Sequence, residues 1–300
     1  MIVVSYQGRE HEISLLLKEA CSYNDAQVRS WMLHQFDPSE VFCLYDGTRL
    51  AGLMRSLRRT FFFRSRKTEA AFLQEPLLLP EYNSPSNFSL LWNTVRDQAL
   101  KSCLLVFYWE TSPENPADPL FDPVFHQNVY SFTSPKNALS SAGYVRSARN
   151  SDDLYSLYES FSDLFDGSIR LSRKEFSQNL RFAKASRKKV MVHFDGSNLD
   201  GLYIAKANGT RLDIETVFYS SPEALADMIM QEVRVWSSVD VHVSGSENLS
   251  AIFGIEPVRE KKLMVKITSM DLFNVWQHSE FQDYAQAFNS LTDPSWNGFV

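Results

Sequence analysis

Apolar residues in this chain cluster in short runs of strand length, and several runs end at residues that favour tight turns. Val41–Tyr45 precedes Asp46-Gly47, and Val190–Phe194 precedes Asp195-Gly196. Asp-Gly between two apolar runs is typical of a β-hairpin, because glycine supplies the positive φ that the turn requires. The pattern therefore predicts a strand, a turn and a second strand at both places.

The two hairpins share more than their turns. Residues 46–53 (Asp-Gly-Thr-Arg-Leu-Ala-Gly-Leu) and residues 195–202 (Asp-Gly-Ser-Asn-Leu-Asp-Gly-Leu) align without a gap at an offset of 149, with Asp, both Gly and both Leu superposed. That offset is half of the 300 residues. We interpret the match as an internal repeat, with a chance similarity of common turn residues as the alternative.

A Ser-Pro pair follows each hairpin, as Ser84-Pro85 and Ser221-Pro222, at an offset of 137. Proline in a first helical turn after serine is a helix start signal. Each pair should begin a helix that leads to an apolar strand, at Ser86–Lys101 then Leu104–Trp109, and at Pro222–Val235 then Val239–Val243.

Two short helices are expected before each hairpin. They are His11–Glu19 and Asn24–Gln35 in the first half, and Ser151–Phe165 and Ser172–Ala185 in the second. The repeated unit is thus two helices, a hairpin, a long third strand, a helix and a further strand.

This unit resembles the acetyl-CoA-dependent N-acetyltransferase (GNAT) superfamily. The resemblance is sharpest at Leu77–Tyr82 (Leu-Leu-Leu-Pro-Glu-Tyr), which is similar to the end of that superfamily's fourth strand and the lead into its pyrophosphate loop. Two such units in one chain look most like the enhanced-intracellular-survival acetyltransferases, without their C-terminal sterol-carrier-like domain. The resemblance implies an α/β (α+β, mixed-sheet) fold with two tandem GNAT-like units.

The implied domains are residues 1–140, residues 141–268 and a tail, 269–300, that packs on the body. The first would bind acetyl-CoA. The second is degenerate, because Tyr219–Pro222 leaves hardly any room for a cofactor loop.

The cofactor loop of the first half departs from the superfamily pattern of Arg or Gln, two residues, Gly, one residue, and Gly or Ala. The corresponding residues are Asn83, Ser86 and Phe88. Two interpretations remain: the backbone amides around Ser84 form an anion-binding nest at the helix start, or the segment is only a helix cap.

The resemblance implies a cofactor-binding set drawn from a strand, a loop and a basic segment. Its members are Leu77, Leu78 and Leu79, then Asn83, Ser84, Ser86, Asn87 and Phe88, and Arg64, Arg66 or Lys67.

The basic segment Arg55–Lys67 alternates arginine with aromatic residues. A long hairpin with one solvated face, contact with cofactor phosphates, and single-stranded nucleic-acid binding all fit this pattern. The net charge of -6 favours the hairpin.

Three residues are candidates for acid–base chemistry in amine acetylation. Glu75 lies on the long strand and would act as a base, or be an exposed edge carboxylate or one paired with an arginine of the neighbouring hairpin. Tyr108 or Tyr130 would act as the acid, with a core phenol as the alternative for each.

Composition narrows the class of protein. At 44% apolar and 22% charged residues the chain is globular. Its three cysteines and its histidine spacing predict neither a disulfide framework nor a metal site. We expect a cytoplasmic protein without nucleic-acid or membrane partners, and a homo-oligomer is left open.

The leading hypothesis is an acetyl-CoA-dependent N-acetyltransferase that acts on a small-molecule or peptide amine. The alternative is a non-catalytic member of the fold that binds a ligand or partner. A third, an aminoacyl-transferring enzyme of peptidoglycan assembly, is weakened because the sequence has no counterpart of the long helical arm.

Overall fold

The computed structural model describes residues 1–110, 118–133, 143–148, 152–292 and 294–295. The chain forms two compact units. The first comprises Met1–Phe61, Arg66–Val124 and Leu263–Ser290, and the second comprises Phe62–Ser65, Phe125–Lys262 and Leu291–Val300.

Nine helices and strands lie before residue 111. In chain order they are β1 (Ile2–Ser5), α1 (Glu10–Cys21), α2 (Asp25–His34), β2 (Val41–Asp46), β3 (Arg49–Phe63), β4 (Arg66–Leu73), β5 (Leu77–Leu78), α3 (Pro85–Ser102) and β6 (Leu105–Glu110).

The later described elements follow in the same alternation of strands and helices. They are β7 (Asp122–Thr133), β8 (Tyr144–Ser147), α4 (Asp152–Ser162), β9 (Gly167–Arg170), α5 (Arg173–Ala185), β10 (Lys189–Asp195), β11 (Asn198–Asn208), β12 (Arg211–Tyr219), α6 (Pro222–Val233), β13 (Ser238–Ser244), α7 (Ser250–Phe253), β14 (Val258–Ile267), α8 (Met270–Gln277), α9 (Tyr284–Asn289) and β15 (Pro294–Ser295).

The sheet of the first unit has the order β1, β2, β3, β4, β6. β4 and β6 run parallel, which is possible because α3 connects them by a crossover. One face of the sheet packs against Leu91, Val95 and Ala99 of α3. Alternate strand residues such as Leu73 and Val106 supply the facing apolar surface, as the period of two in a strand requires.

The sheet of the second unit has the order β7, β13, β12, β11, β10, β8, with β12 and β13 parallel. Helices cover both of its faces. On β11, Leu202 packs with α4 and α5, whereas the next residue, Tyr203, packs with α6. The mixed α/β fold expected from the sequence is confirmed.

The two hairpins have matching local geometry. Gly47 and Gly196 have φ values of 58° and 59°. A register shift falls between Leu44 and Tyr45 in one hairpin and between His193 and Phe194 in the other, again 149 residues apart. In each unit an earlier strand, β1 or β8, pairs antiparallel with the first hairpin strand.

Both helices after the hairpins begin with a capping serine. Ser84 Oγ accepts the Asn87 amide at 3.3 Å, and Ser221 Oγ accepts the Ala224 amide at 3.2 Å. In each case proline occupies the next position, where a missing N–H costs nothing. The Ser-Pro pairs therefore act as the start signals that the sequence suggested.

The unit boundaries differ from the expected 140 and 268. The first unit ends at Val124 in this part of the chain because β7 pairs with β13 from Gln127 to Thr133. β7 therefore belongs to the second sheet. The tail segment up to Ser290 belongs to the first unit, where the ring of Phe288 stacks on Phe61 with centroids 6.4 Å apart.

The basic segment forms the β3–β4 hairpin, but part of its arginine face is not solvated. Arg55 and Arg59 are buried beside Glu40, with nitrogen-to-oxygen distances of 3.5 Å and 2.9 Å. Burial lowers the pKa of Arg55 to about 10. The expectation of a solvated face is wrong at these two positions, because Glu40 pairs with both arginines and the Arg55 guanidinium lies over the ring of Trp31 on α2.

Within the described residues, no helix combines the length and apolar character needed to cross a membrane. In the same part of the chain, no group of three or more His, Cys, Asp and Glu side chains is arranged to hold a metal ion. The compartment and the metal content stay predictions.

The hairpin geometry yields a stability prediction. Gly47→Ala should lower the free energy of unfolding by about 1–2 kcal/mol, because a β-carbon disfavours positive φ. Gly47→Asn should cost less, because asparagine tolerates that region better. Urea denaturation of both variants measures the difference, and equal stability of Gly47→Ala and wild type would contradict the assignment.

Candidate active site

The parallel strands β4 and β6 separate at one point. They pair from Ala70 with Leu105 up to Leu73 with Tyr108. Residues 74–76 then leave this ladder, the Gln74 amide donating to the Arg55 carbonyl at 3.0 Å, and Leu77–Leu78 pair with β3 instead. A gap in the sheet therefore begins beyond Leu73 and Tyr108.

A cleft of about 980 Å³ occupies this gap and extends along α3. Its walls come from the end of β4, β5, the loop after β5, one side of α3, the end of β6 and the segment 118–120. The lining residues are Leu73, Glu75, Pro76, Leu77, Leu78, Asn83, Ser84, Pro85, Phe88, Ser89, Trp92, Asn93, Arg96, Tyr108, Trp109, Glu110, Asp118, Pro119 and Leu120.

The backbone of Leu78 faces the gap. In the β3–β5 ladder Leu78 lies opposite Gly52, and the next residue, Leu79, donates its amide to the Ala51 carbonyl at 3.0 Å. Antiparallel ladders alternate hydrogen-bonded and non-hydrogen-bonded pairs, so the Leu78–Gly52 pair is non-hydrogen-bonded. The Leu78 N–H and C=O consequently point away from β3, toward β6.

Gly52 allows β5 to approach this closely. A β-carbon at position 52 would lie 2.5 Å from Leu78 Cδ2 and 2.7 Å from the Leu77 carbonyl oxygen. Any larger residue would therefore push β5 toward the gap. Gly52 is the second glycine of the repeated octapeptide, and this close contact explains why a glycine occupies the position. The turn pattern in the sequence does not indicate it.

The loop between β5 and α3 uses most of its own amides. Ser84 donates its amide to the Tyr82 carbonyl at 2.9 Å, and the Asn87 amide donates to Ser84 Oγ. Pro85 has no amide hydrogen. Ser86, at the second helical position, is thus the residue whose amide has no intrahelical acceptor. The cap interpretation accounts for two of the three amides that an anion nest would need.

The first hairpin turn holds this loop in place. Arg49 forms an ion pair with Glu81 and lies 5.5 Å from the centroid of the Tyr82 ring. Tyr82 donates its hydroxyl hydrogen to Asp46 Oδ2 at 3.3 Å. The charged residues of the turn are therefore engaged with the loop.

A buried carboxylate, Asp118, organises one wall of the cleft. It accepts Trp92 Nε1 at 2.9 Å, Arg96 Nη1 at 2.7 Å and the Leu120 amide at 3.0 Å. Burial alone would raise the pKa of Asp118, but these donors hold it below its usual value. Asp118 is therefore ionised at neutral pH.

Tyr108 lies between this wall and the gap. Its hydroxyl oxygen accepts the Asp118 amide at 2.9 Å, and its ring packs edge-on against Trp92 and Phe121. Burial raises the pKa of Tyr108 to about 12, with the charges of Asp118 and Glu110 adding to the effect. Because the oxygen already accepts a hydrogen bond, the phenol can use its own hydrogen as a donor.

Glu75 occupies the irregular segment between β4 and β5, is exposed and lines the cleft. The cleft wall also includes Glu110, at the end of β6. Arg96 is the one lysine or arginine among the described lining residues, and it is engaged by Asp97 and Asp118 at 2.7 Å each. The lining is therefore acidic overall.

The structure brings together much of the predicted set. Glu75, Leu77, Leu78, Asn83, Ser84, Phe88 and Tyr108 line one cleft. Leu79 is buried in the core, and Ser86 and Asn87 lie on the first turn of α3 outside the lining.

Four predicted residues lie elsewhere. Tyr130 is buried in the second unit, where its hydroxyl donates to the Glu247 carbonyl and accepts the Leu249 amide, so it is a core phenol. Arg64 belongs to the second unit, where its amide donates to the Asp166 carbonyl, and Arg66 donates to the Trp276 carbonyl. Lys67 is exposed and, like both arginines, outside the cleft lining.

Sequence reasoning missed Trp92, Arg96 and Asp118. The positions of Phe88, Trp92 and Arg96, four residues apart on one helix, place them on one face. That spacing was a usable signal, and the Phe88 and Trp92 rings do stack. Nothing local marks Asp118, whose partners are 22 and 26 residues away.

In the second unit, side chains fill the space that corresponds to the gap between β4 and β6. β12 and β13 pair only up to Ile214 and Val241, while Tyr219 lies opposite Gly201 on β11. Tyr219 donates its hydroxyl hydrogen to Glu247 Oε1 at 2.7 Å. Burial raises the pKa of Glu247 to about 7, partly offset by this bond and by the Ser244 amide. A single residue separates β12 from the cap Ser221.

No family model matches the sequence, and no curated protein matches it. Solved structures of similar fold do exist. A probable N-acyltransferase of unknown function from Enterococcus faecalis V583 has a TM-score of 0.68 and 13% identity, over 91% of this chain and 74% of the other.

Two further structures extend the comparison. Eis1 from Mycobacterium abscessus has a TM-score of 0.62 and 11% identity, over 91% of this chain and 75% of its own. Saccharomyces cerevisiae N-myristoyltransferase with bound myristoyl-CoA has a TM-score of 0.56 and 8% identity, over 89% of this chain and 78% of its own.

The fold is similar to that of GCN5-related N-acetyltransferases of known structure. The resemblance inferred from Leu77–Tyr82 is therefore confirmed for the fold, while the tandem arrangement stays a prediction. Identities this low leave activity to be argued from the site.

The environment of Tyr108 predicts a pH effect. Its pKa is raised from 10 to about 12 in the folded state. The stability it contributes is thus fully present below pH 10 and is lost as the pH rises through 12. Between about pH 10 and pH 12 the free energy of unfolding should fall less in Tyr108→Phe than in wild type. The difference should reach about 2–3 kcal/mol.

Urea denaturation at several pH values between about 9 and 12 checks this, with each protein normalised to its own stability at the lowest pH. The other tyrosines titrate in both proteins, so their contribution to the pH dependence cancels when the variant is compared with wild type. Parallel pH profiles would show that Tyr108 ionises normally.

Proposed function

We propose that the first unit is an acyl-CoA-dependent N-acyltransferase, with acetyl-CoA as the donor and a small-molecule or peptide amine as the acceptor. The observation that carries the proposal is the gap beyond Leu73 and Tyr108, because it exposes the Leu78 backbone beside a cleft within a GNAT fold. A similar fold in N-myristoyltransferase holds myristoyl-CoA.

The residues present fit the pantetheine arm of such a donor. An extended amide-containing chain can add to a free strand edge through main-chain hydrogen bonds, without requiring particular side chains. Leu78 would hold the arm through its N–H and C=O, and Leu77, Phe88 and Trp92 would cover the apolar parts. The fit is poorer at the phosphate end, where Ser84 and Asn87 use their own amides.

The donor supplies a thioester carbonyl, and the protein supplies hydrogen bonds and proton acceptors. Tyr108 is the best placed of the predicted acids. With a pKa of about 12 it holds its proton against a thiolate whose conjugate acid has a pKa near 8.5. We therefore assign Tyr108 the role of a hydrogen-bond donor to the departing sulfur, with Asp118 orienting the hydroxyl through its amide.

Glu75 is assigned the role of accepting a proton from the amine, directly or through water. It lies three residues before Leu78, is exposed to solvent and lines the same cleft as Tyr108. A carboxylate in solvent also attracts an ammonium group, so that Glu75 would recruit the acceptor and take up the proton that its nitrogen loses as the amide bond forms and the thioester bond breaks.

We further propose that residues 141–268 descend from the same unit by duplication and have lost the cofactor loop. The shared order of elements, the matched bulges and the matched caps support this. Acetyl-CoA would then bind in the first half alone.

A non-catalytic binding protein is the alternative, and two observations favour it. Ser84 caps α3 and the charged lining of the cleft is acidic, so neither feature favours a polyanionic cofactor. If the protein binds no acyl thioester, it is a non-catalytic binding protein.

The proposal predicts that the Leu78 amide is required for donor binding. Leu78→Pro removes that N–H, whereas Leu78→Ala shortens the side chain and keeps it. Calorimetry with acetyl-CoA should give weak binding to wild type, a loss of about tenfold or more in Leu78→Pro, and a smaller loss in Leu78→Ala.

Both variants lose part of the core side chain, so their unfolding temperatures provide the fold control. Equal affinities for acetyl-CoA in folded Leu78→Pro and Leu78→Ala would contradict the role of the amide. No binding by wild type at millimolar acetyl-CoA would contradict the proposed function itself.

A further inference from the structure

The charged groups that line the cleft are mostly acidic. Carboxylates of Glu75, Glu110 and Asp118 line it, and Arg96 is held by Asp97 and Asp118. A donor with several phosphates would therefore meet an unfavourable field here.

Most of the groups near the start of α3 that could anchor phosphates are already used, and the Ser86 amide is the exception. The Ser84 and Asn87 amides are bonded within the cap, and Pro85 offers none. Arg49, which contacts the loop, is paired with Glu81 and stacked on Tyr82. Binding a phosphate would require breaking these contacts, which offsets much of the gain.

The cleft also offers a free backbone edge and apolar walls. Leu78 directs its N–H and C=O into the gap, and Leu77, Trp92 and Leu120 provide apolar walls. These groups suit an uncharged chain of amides and methylenes, which is the chemistry of the pantetheine arm.

We propose that this cleft recognises the acyl-pantetheine thioester and gains nothing from the nucleotide phosphates. The inference rests on the proposed function and narrows its donor. The same thioester occurs on coenzyme A and on the phosphopantetheine of a carrier protein, and either source would fit.

The test compares donors that carry the same acetyl thioester with different numbers of phosphates. Calorimetry on the full chain would use S-acetyl-pantetheine, acetyl-dephospho-CoA and acetyl-CoA. We expect the affinity for acetyl-CoA to exceed that for S-acetyl-pantetheine by no more than about threefold. We also expect that raising the salt concentration tightens acetyl-CoA binding or leaves it unchanged, because repulsion is screened.

A loss of about thirtyfold or more on removing the phosphates would overturn the inference while supporting acyl-CoA binding. Failure of all three donors at millimolar concentration would overturn the inference together with the proposed function. An acetylated carrier protein that binds at least as well as S-acetyl-pantetheine supports the inference, and binding tenfold weaker contradicts it.

Two variants test the electrostatic reason. Glu110→Gln removes a charge from the cleft wall, and Asn83→Arg adds one to the loop. Each should tighten acetyl-CoA binding by about three- to tenfold. Either substitution should change the affinity for uncharged S-acetyl-pantetheine less than the affinity for acetyl-CoA, so the ratio of the two affinities is the readout and thermal unfolding is the control for folding. Equal effects on both ligands would contradict the inference.

Discussion

The transfer of one strand from its parallel neighbour to its antiparallel neighbour determines the candidate site. β4 and β6 part after Leu73 and Tyr108, and the chain then continues on β3 at Leu77–Leu78. The close approach needs Gly52, and the transfer frees the Leu78 backbone. The cleft, its aromatic wall and the position of Tyr108 all follow from this break, because a continuous ladder would occupy the same space.

A parallel strand pair separates in both units, but the space that results is used differently. In the first, six residues between β5 and α3 leave the gap accessible, whereas in the second two residues separate β12 from α6. There Tyr219 and the buried Glu247 close the space with a side-chain hydrogen bond. A large buried pair of this kind stabilises a core rather than admitting a ligand, so the difference in loop length has a functional consequence.

Local chemistry made part of this predictable from the sequence. Glycine turns, Ser-Pro caps and apolar runs gave the hairpins, the helix starts and the placement of Leu77, Asn83 and Phe88 near one site, because each depends on neighbours in the chain. Asp118 and the buried Arg55 depend on partners from distant elements, so no short pattern announces them. Tyr130 was misplaced because the strand that carries it pairs with β13 instead of extending the first sheet.

Amide hydrogen exchange at Leu78, measured with and without acetyl-CoA, tests the central claim most directly. The Leu78 amide has no partner on β3, and donor binding in the gap should protect it. The account predicts slower exchange at Leu78 on adding acetyl-CoA, with the capped amides of Ser84 and Asn87 unchanged. Protection of the cap residues with no change at Leu78 would contradict it.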